Sequence, residues 1–158
     1  MNIARNSVTT AAQLEHLDVF GGLTSLHLTG RHTGGAALFA SSVNDPGVFV
    51  PLHTHTREDE LYYILEGRLE ITLGDRKTVA AAGTSAFLPR GVPHAWRVVG
   101  DKSVKFLVTV TPSGMEHMFR EFAALPPGAP DPVVMSGICA RYGISFATRL
   151  PAETQLCG

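Results

Sequence analysis

Two histidines and a glutamate fall within eight residues of one another at a spacing that suits a metal ion. The stretch from Gly47 to Gly67, GVFVPLHTHTREDELYYILEG, holds His53, His55 and Glu60, and His94 follows later in the chain. On an extended strand, residues two apart share a face, so the imidazoles of His53 and His55 project together. Glu60 lies an odd number of residues beyond His55 and joins that face only if the chain turns through Thr56 to Asp59. Glu58 and Asp59 are alternative carboxylates, but with Arg57 they read as the charges of a solvated turn. His94 comes directly after Pro89-Arg90-Gly91-Val92-Pro93, a rigid turn that delivers a side chain to the start of a strand. Three neutral imidazoles and one carboxylate suit a divalent transition metal: iron, manganese, nickel, cobalt, copper or zinc. His16, His27, His32 and His117 stand apart from this pattern and read as structural or surface residues.

The elements around these residues read as short strands. Ala11 to Phe20 suggests a turn or edge element packing Leu14, Leu17 and Phe20. Leu23–Thr29 alternates apolar and polar residues as a half-buried strand does, and Arg31–Gly35 reads as a turn before a strand over Ala36–Val43. Asn44-Asp45-Pro46-Gly47 is a strong turn signal. Strands are then expected over Val48–His55, Glu60–Leu65, Arg68–Leu73, Lys77–Ala81, Ser85–Pro89, His94–Val99 and Val104–Thr111. No stretch between Ala36 and Thr111 is long enough for a crossover helix, which disfavours a parallel α/β sheet. Regular turns between many short strands point instead to an all-β sandwich or barrel. Beyond Pro112 the period changes. Ser113 and Glu116 make a capping box, and Met115, Met118, Phe119, Phe122 and Leu125 share a helical face over about Gly114 to Ala124. That face reads as core, and it could also close one mouth of a barrel. Asp131-Pro132 can start a second short helix, which Gly143 stops before Ile144.

Composition narrows the class. A chain of 158 residues, 44% hydrophobic, fits one domain, with a barrel core over about 23–112 and a helical attachment over about 113–150. The 13 basic and 14 acidic residues nearly cancel and form no basic stripe, which argues against nucleic acid as a partner. Neither a secretory pattern at the N-terminus nor an apolar run of bilayer length is present in the sequence, so a cytoplasmic protein away from membranes is the expectation. Cys139 and Cys157 form no metal or disulfide motif; Cys139 reads as a core thiol and Cys157 as part of a loose tail.

The two glycine-bounded segments resemble the cupin family. Gly47, His53, His55, Glu60 and Gly67 have the spacing of its first motif, and Gly83, Pro89, Gly91 and His94 that of its second. The asparagine that commonly ends the second motif is Val98 here, at a position that is not a metal ligand in the family. Fifteen residues separate Gly67 from Gly83, as in compact microbial single-domain cupins. TGGAALF (33–39) and PSGMEHMFREF (112–122) are similar to single-domain cupins described as quercetin-dioxygenase-like. The resemblance implies a double-stranded β-helix, a jelly-roll barrel with a short C-terminal helical segment. It also implies His53, His55, Glu60 and His94 as metal ligands, and a homodimer through sheet faces.

Such a site draws an enolate, phenolate or carboxylate toward the ion. Phe49, Tyr62, Ile64, Ile71, Phe87, Trp96, Phe106 and Val108 are expected to line an apolar cavity for a flat aromatic or polyketide-like molecule. The leading expectation is a dioxygenase acting on an enolisable aromatic or flavonol-like small molecule, with Glu60 as ligand and transient base and Tyr62 orienting the substrate. Two other readings use the same site. One is a non-redox cyclase, isomerase, dehydratase or decarboxylase of a biosynthetic pathway, and the other is a small-molecule binder without turnover.

Overall fold

The computed structural model describes residues 7–128 and 131–147. Cys157 and the last residues of the expected helical attachment lie outside them. After a 3₁₀ turn at Ala11–Gln13, the strands are β1 (Glu15–Val19), β2 (Gly22–Leu28), β3 (Leu38–Asn44), β4 (Phe49–His55), β5 (Asp59–Glu66) and β6 (Arg68–Leu73). They continue as β7 (Arg76–Ala81), β8 (Ser85–Leu88), β9 (His94–Val98), β10 (Val104–Thr111) and β11 (Ile144–Phe146). The helices are α1 (Gly30–Thr33), α2 (Met115–Ala123) and α3 (Pro132–Arg141).

Two antiparallel sheets face each other, as in a jelly roll. One has the order β1-β2-β3-β10-β5-β8 and the other β11-β4-β9-β6-β7. Alternation along the strands supplies the inner faces. Val104, Phe106, Val108 and Val110 of β10 are buried, as are Leu38 and Ala40 of β3 and Leu69 and Ile71 of β6. Gly67 turns β5 into β6 with φ of 75°, and a side chain there would press on the backbone of Ser103 and Val104.

Several local expectations shift. The segment from Arg31 begins inside the one-turn helix α1, which ends on Gly34 at φ 65°, so β3 starts at Leu38 and not at Ala36. In β2 the face toward the core carries Thr24 and Leu26, while Leu23 is half exposed. Hydrophobic alternation alone therefore misassigns the inner face of this strand. The edge element near the N-terminus is the strand β1, with Val19 buried and Phe20 packed at 4.5 Å against Phe122 of α2.

Helix α2 starts one residue later than its sequence suggests. Gly114 is its N-cap, and Ser113 makes no capping bond. Glu116 is buried and accepts hydrogen bonds from the Gly114 N–H and from the Gly30 N–H, each at 2.7 Å. The acid that reads as half of a capping box thus ties α2 to α1. Asp131 caps α3 as expected, accepting from the Val133 N–H at 2.7 Å.

Candidate metal centre and its cavity

Strands β4, β5 and β9 bring the four residues together. His53 and His55 point inward two apart on β4, Glu60 lies on the inner face of β5, and His94 opens β9 opposite His53 in the register. One ligand atom from each lies within 4.8 Å of the others, and all four side chains are buried. The separations fit a common centre. His53 Nε2 to His55 Nε2 is 3.1 Å, His94 Nε2 to Glu60 Oε2 is 3.2 Å, and His55 Nε2 to Glu60 Oε2 is 3.9 Å. Ligands about 2.1 Å from one ion lie about 3.0 Å apart at right angles and about 4.2 Å apart when opposed.

Hydrogen bonding orients two of the rings. The Nδ1–H of His53 donates to the Pro51 carbonyl at 2.8 Å, and that of His94 to the Val92 carbonyl at 3.0 Å. Each bond leaves Nε2 with its lone pair toward the centre. His94 Nε2 has no aligned hydrogen-bond partner although it is fully enclosed, which is the condition of a ligand nitrogen facing an ion. Burial, then the neighbouring His94, holds the His53 pKa down to about 4, so this imidazole is neutral at physiological pH. Burial works to raise Glu60, but the His94 contact and the attraction of the neighbouring imidazoles for its negative charge outweigh it and leave it at about 2. An ionised carboxylate beside three imidazole nitrogens is a donor set that suits a divalent metal.

The turn between β4 and β5 differs from its expected character. Asp59 is a structural tether: the Arg90 backbone N–H and Nε donate to its Oδ1 at 2.8 and 3.0 Å, and Arg90 Nη2 donates to Oδ2 at 2.8 Å. These bonds hold the start of the Glu60 strand against the turn that presents His94. Glu58 is no solvated turn charge. It is only 6% exposed, and its Oε2 lies 3.6 Å from His55 Nδ1, with no hydrogen bond made by either atom. The spacing from His55 to Glu58 was visible in the sequence, but its burial depends on how the turn folds back.

A cavity of about 80 Å³ opens beside His53, His55 and Glu60. Tyr62, Trp96, Phe106 and Val108 line it, with Phe106 centred 5.1 Å from Tyr62 and 5.6 Å from Trp96. Four expected lining residues fall elsewhere. Phe49 is 60% and Phe87 53% exposed, because their strand positions face outward, while Ile64 and Ile71 are buried in the core beside the cavity. The α2 face expected as core or as the closure of a barrel mouth brings Met115, Met118 and Phe119 to the cavity, and sequence reading missed Ile144 and Phe146 from β11. It also missed three polar lining residues, Thr24, Ser42 and Asn44. Cys139 lines the cavity as well, but burial pushes its thiol up to about 11, so it is unreactive at neutral pH.

Tyr62 donates its hydroxyl to Glu60 Oε2 at 3.1 Å. Burial and the adjacent Glu60 charge raise its pKa well above the ordinary tyrosine value, so the phenol stays protonated. The remaining histidines lie apart from the cluster. His16 pairs with Ser25 at 2.8 Å, His27 with Ser41 at 2.9 Å, and His32 accepts from the Thr29 N–H at 3.0 Å.

Residues 43–110 match the cupin domain family model. Over that stretch the chain resembles a small cupin, and its fold is that of the cupins: two facing antiparallel sheets, a four-residue candidate metal site between them and a short helical segment. It resembles quercetin-dioxygenase-like proteins. Quercetin 2,3-dioxygenase of Bacillus subtilis is 31% identical over 91 residues, which cover 57% of this chain and 26% of that protein. A protein named polyketide synthase CurC from Streptomyces cyaneus is 26% identical over 113 residues, covering 71% and 73% of the two chains. A solved structure of a predicted oxalate decarboxylase from Thermotoga maritima superposes with a TM-score of 0.59 at 26% identity, covering 67% of this chain and 99% of that one. The chain thus aligns with about a quarter of the Bacillus dioxygenase.

Proposed function

We propose that this protein is a metal-dependent cupin enzyme, and that it is a dioxygenase for an enolisable aromatic, flavonol-like or polyketide-like small molecule. The observation that carries this reading is the enclosed three-histidine, one-glutamate cluster facing a cavity walled by Tyr62, Trp96 and Phe106. His53, His55, Glu60 and His94 would hold the ion, and a bound divalent metal would supply Lewis-acid and, for iron, manganese, nickel, cobalt or copper, redox chemistry.

The chain's own groups divide the remaining work. Glu60, ionised and in contact with Tyr62, is positioned to take the proton of an enol or phenol hydroxyl. Its low proton affinity makes it a transient holder. Tyr62 keeps its own proton and can hydrogen-bond a substrate oxygen while steadying Glu60. The aromatic walls exclude water and hold a flat ring system in one plane. Both atoms of dioxygen would enter the product. At about 80 Å³ the cavity is below the roughly 300 Å³ at which drug-sized ligands are usually held. A two-ring substrate therefore requires the Met115 and Met118 side chains to move, which their unbranched form allows.

A second reading is favoured by one observation: the match to the CurC-named protein covers 73% of its length, against 26% of the dioxygenase. The same site would then run a cyclisation, isomerisation or decarboxylation without oxygen. Oxygen uptake is measured with flavonol and with an aromatic β-diketone, using iron-, manganese-, nickel- and zinc-loaded protein. Consumption of one dioxygen per substrate is expected. Turnover that continues under argon assigns the non-redox reaction, and no turnover with any metal across an enolisable panel leaves a binding protein.

We also propose a homodimer. Leu61 and Phe87 are cross-strand partners on the outer face of β5 and β8 and are exposed together with Tyr63. An apolar group beside the edge strand β8 suits a second copy of the chain.

A further inference from the structure

The polar residues at the other end of the cavity have no part in the metal cluster. Thr24, Ser42 and Asn44 line the same cavity as His53, His55 and Glu60, and each is more than nine-tenths buried. Strand register fixes where they sit. Thr24 pairs with Ser42, which pairs with Phe106, while Glu60 pairs with Val110, which pairs with Leu38. On β3, Ser42 is thus four residues beyond the level of Glu60, or about 13 Å along the strand at about 3.3 Å per residue. Tyr62 and Val108 occupy the level between, and Phe106 shares the level of Ser42.

Ser42 and Asn44 hold each other in place. Asn44 Nδ2 donates to Ser42 Oγ at 2.9 Å. Ser42 therefore acts as acceptor toward Asn44, and its own hydroxyl proton is left to donate to another group. The glycine at position 22 makes the arrangement possible, because a Cβ there would collide with Asn44 Oδ1. Packing alone does not explain three polar residues on the inner faces of β2 and β3, where valine or alanine would serve as well. Buried hydroxyls are stabilised only when they find a partner.

We propose that Thr24, Ser42 and Asn44 form a polar subsite that recognises a hydroxyl or carbonyl oxygen on the substrate, at the end opposite its metal-binding oxygen. This rests on the metal-anchored reading given above and narrows its substrate class. Subtracting about 2 Å for a metal–oxygen bond and about 3 Å for a hydrogen bond from the separation of the two levels leaves about 8 Å. That length matches two linked aromatic rings. The substrate is then an elongated molecule with a chelating enolate or carboxylate at one end, a flat apolar middle and one oxygen function at the far end.

The test uses the full chain loaded with nickel under argon and titrated by absorbance. The probes are flavonol and the same flavonol bearing one hydroxyl on the ring farthest from its chelating oxygens. The hydroxylated probe is expected to bind about tenfold tighter, the discrimination typical of one well-placed hydrogen bond. In Ser42→Ala and in the near-isosteric Thr24→Val that preference falls to about twofold or less, while nickel content and affinity for plain flavonol stay unchanged. Equal binding of the two probes to the unmodified protein overturns the subsite and leaves the metal-anchored reading intact, as does a preference that survives in both variants. Failure of plain flavonol to bind the nickel-loaded protein overturns the metal-anchored reading, and the subsite with it.

Discussion

At the scale of single residues, the candidate metal centre depends on ring orientation as much as on ligand identity. His53 and His94 are each fixed by a backbone carbonyl two residues earlier, whereas His55 Nδ1 makes no such bond and has the Glu58 carboxylate 3.6 Å away. Glu58 is therefore the carboxylate placed to take up the third imidazole's Nδ1–H once the ion draws Nε2 into place, and it is expected to position that ring. Replacing it with glutamine should lower metal affinity by about 10- to 100-fold, the usual cost of losing an outer partner of a ligating histidine. His55→Ala should lose the metal outright. Elemental analysis after dialysis against a graded chelator distinguishes the two, and full retention in His55→Ala would remove the metal-centre reading. The candidate ligands His53 and His55 were legible because two-residue spacing on a strand fixes a shared face. Glu58 was not, since its charge marks it as solvent-facing and only the fold of the turn encloses it.

At the scale of elements, the strands were readable nearly end to end because glycines and prolines mark their turns and β-branched residues fill them. What could not be read was the inner face of β2 and the role of β11. Thr24 faces inward because β2 pairs with β3 in a particular register, and no local pattern specifies that pairing. Three residues, Ile144 to Phe146, are too few to show a period, and β11 exists because it pairs with His53 to His55 of β4. The helices that lead to it are clamped through Glu121, which accepts from Tyr142 Oη at 2.6 Å and pairs with Arg141 Nη2. The Tyr142 bond first, against a smaller opposing effect of burial, and then Arg141 hold its carboxyl below the ordinary 4.5. A carboxyl depressed by folding contributes stability above its unfolded value and loses that contribution as pH falls through the folded one. Amide exchange in α3, corrected for its intrinsic pH dependence, should therefore accelerate below about pH 4.5. Glu121→Gln should already show the faster exchange at neutral pH. An α3 equally protected in both proteins at both pH values would mean the clamp adds nothing.

At the scale of the whole molecule, the outer face of the β1-β2-β3-β10-β5-β8 sheet is the place to look for a second copy. Leu61, Tyr63 and Phe87 face outward there, and the placement of Phe87 as a pocket residue failed because period two fixes a shared face without saying which side is inside. Placing lysine at Leu61 and Phe87 together should convert a dimer to a monomer in sedimentation velocity, without loss of bound metal. Sedimentation of the unmodified protein as a monomer at micromolar concentration would discard the homodimer. Among the described residues no helix is long and apolar enough to cross a membrane.

The short strand β11 carries one more consequence, in the order of synthesis. β4 holds two of the four candidate ligands, and β11 is what covers its outer edge. Those two strands lie far apart in the chain, with six strands and two helices encoded between them. On a ribosome, His53 and His55 emerge early, on a strand whose backbone donors and acceptors stay uncovered until the last described element has been made. A growing chain thus displays its candidate ion-binding pair and an adhesive edge at the same moment.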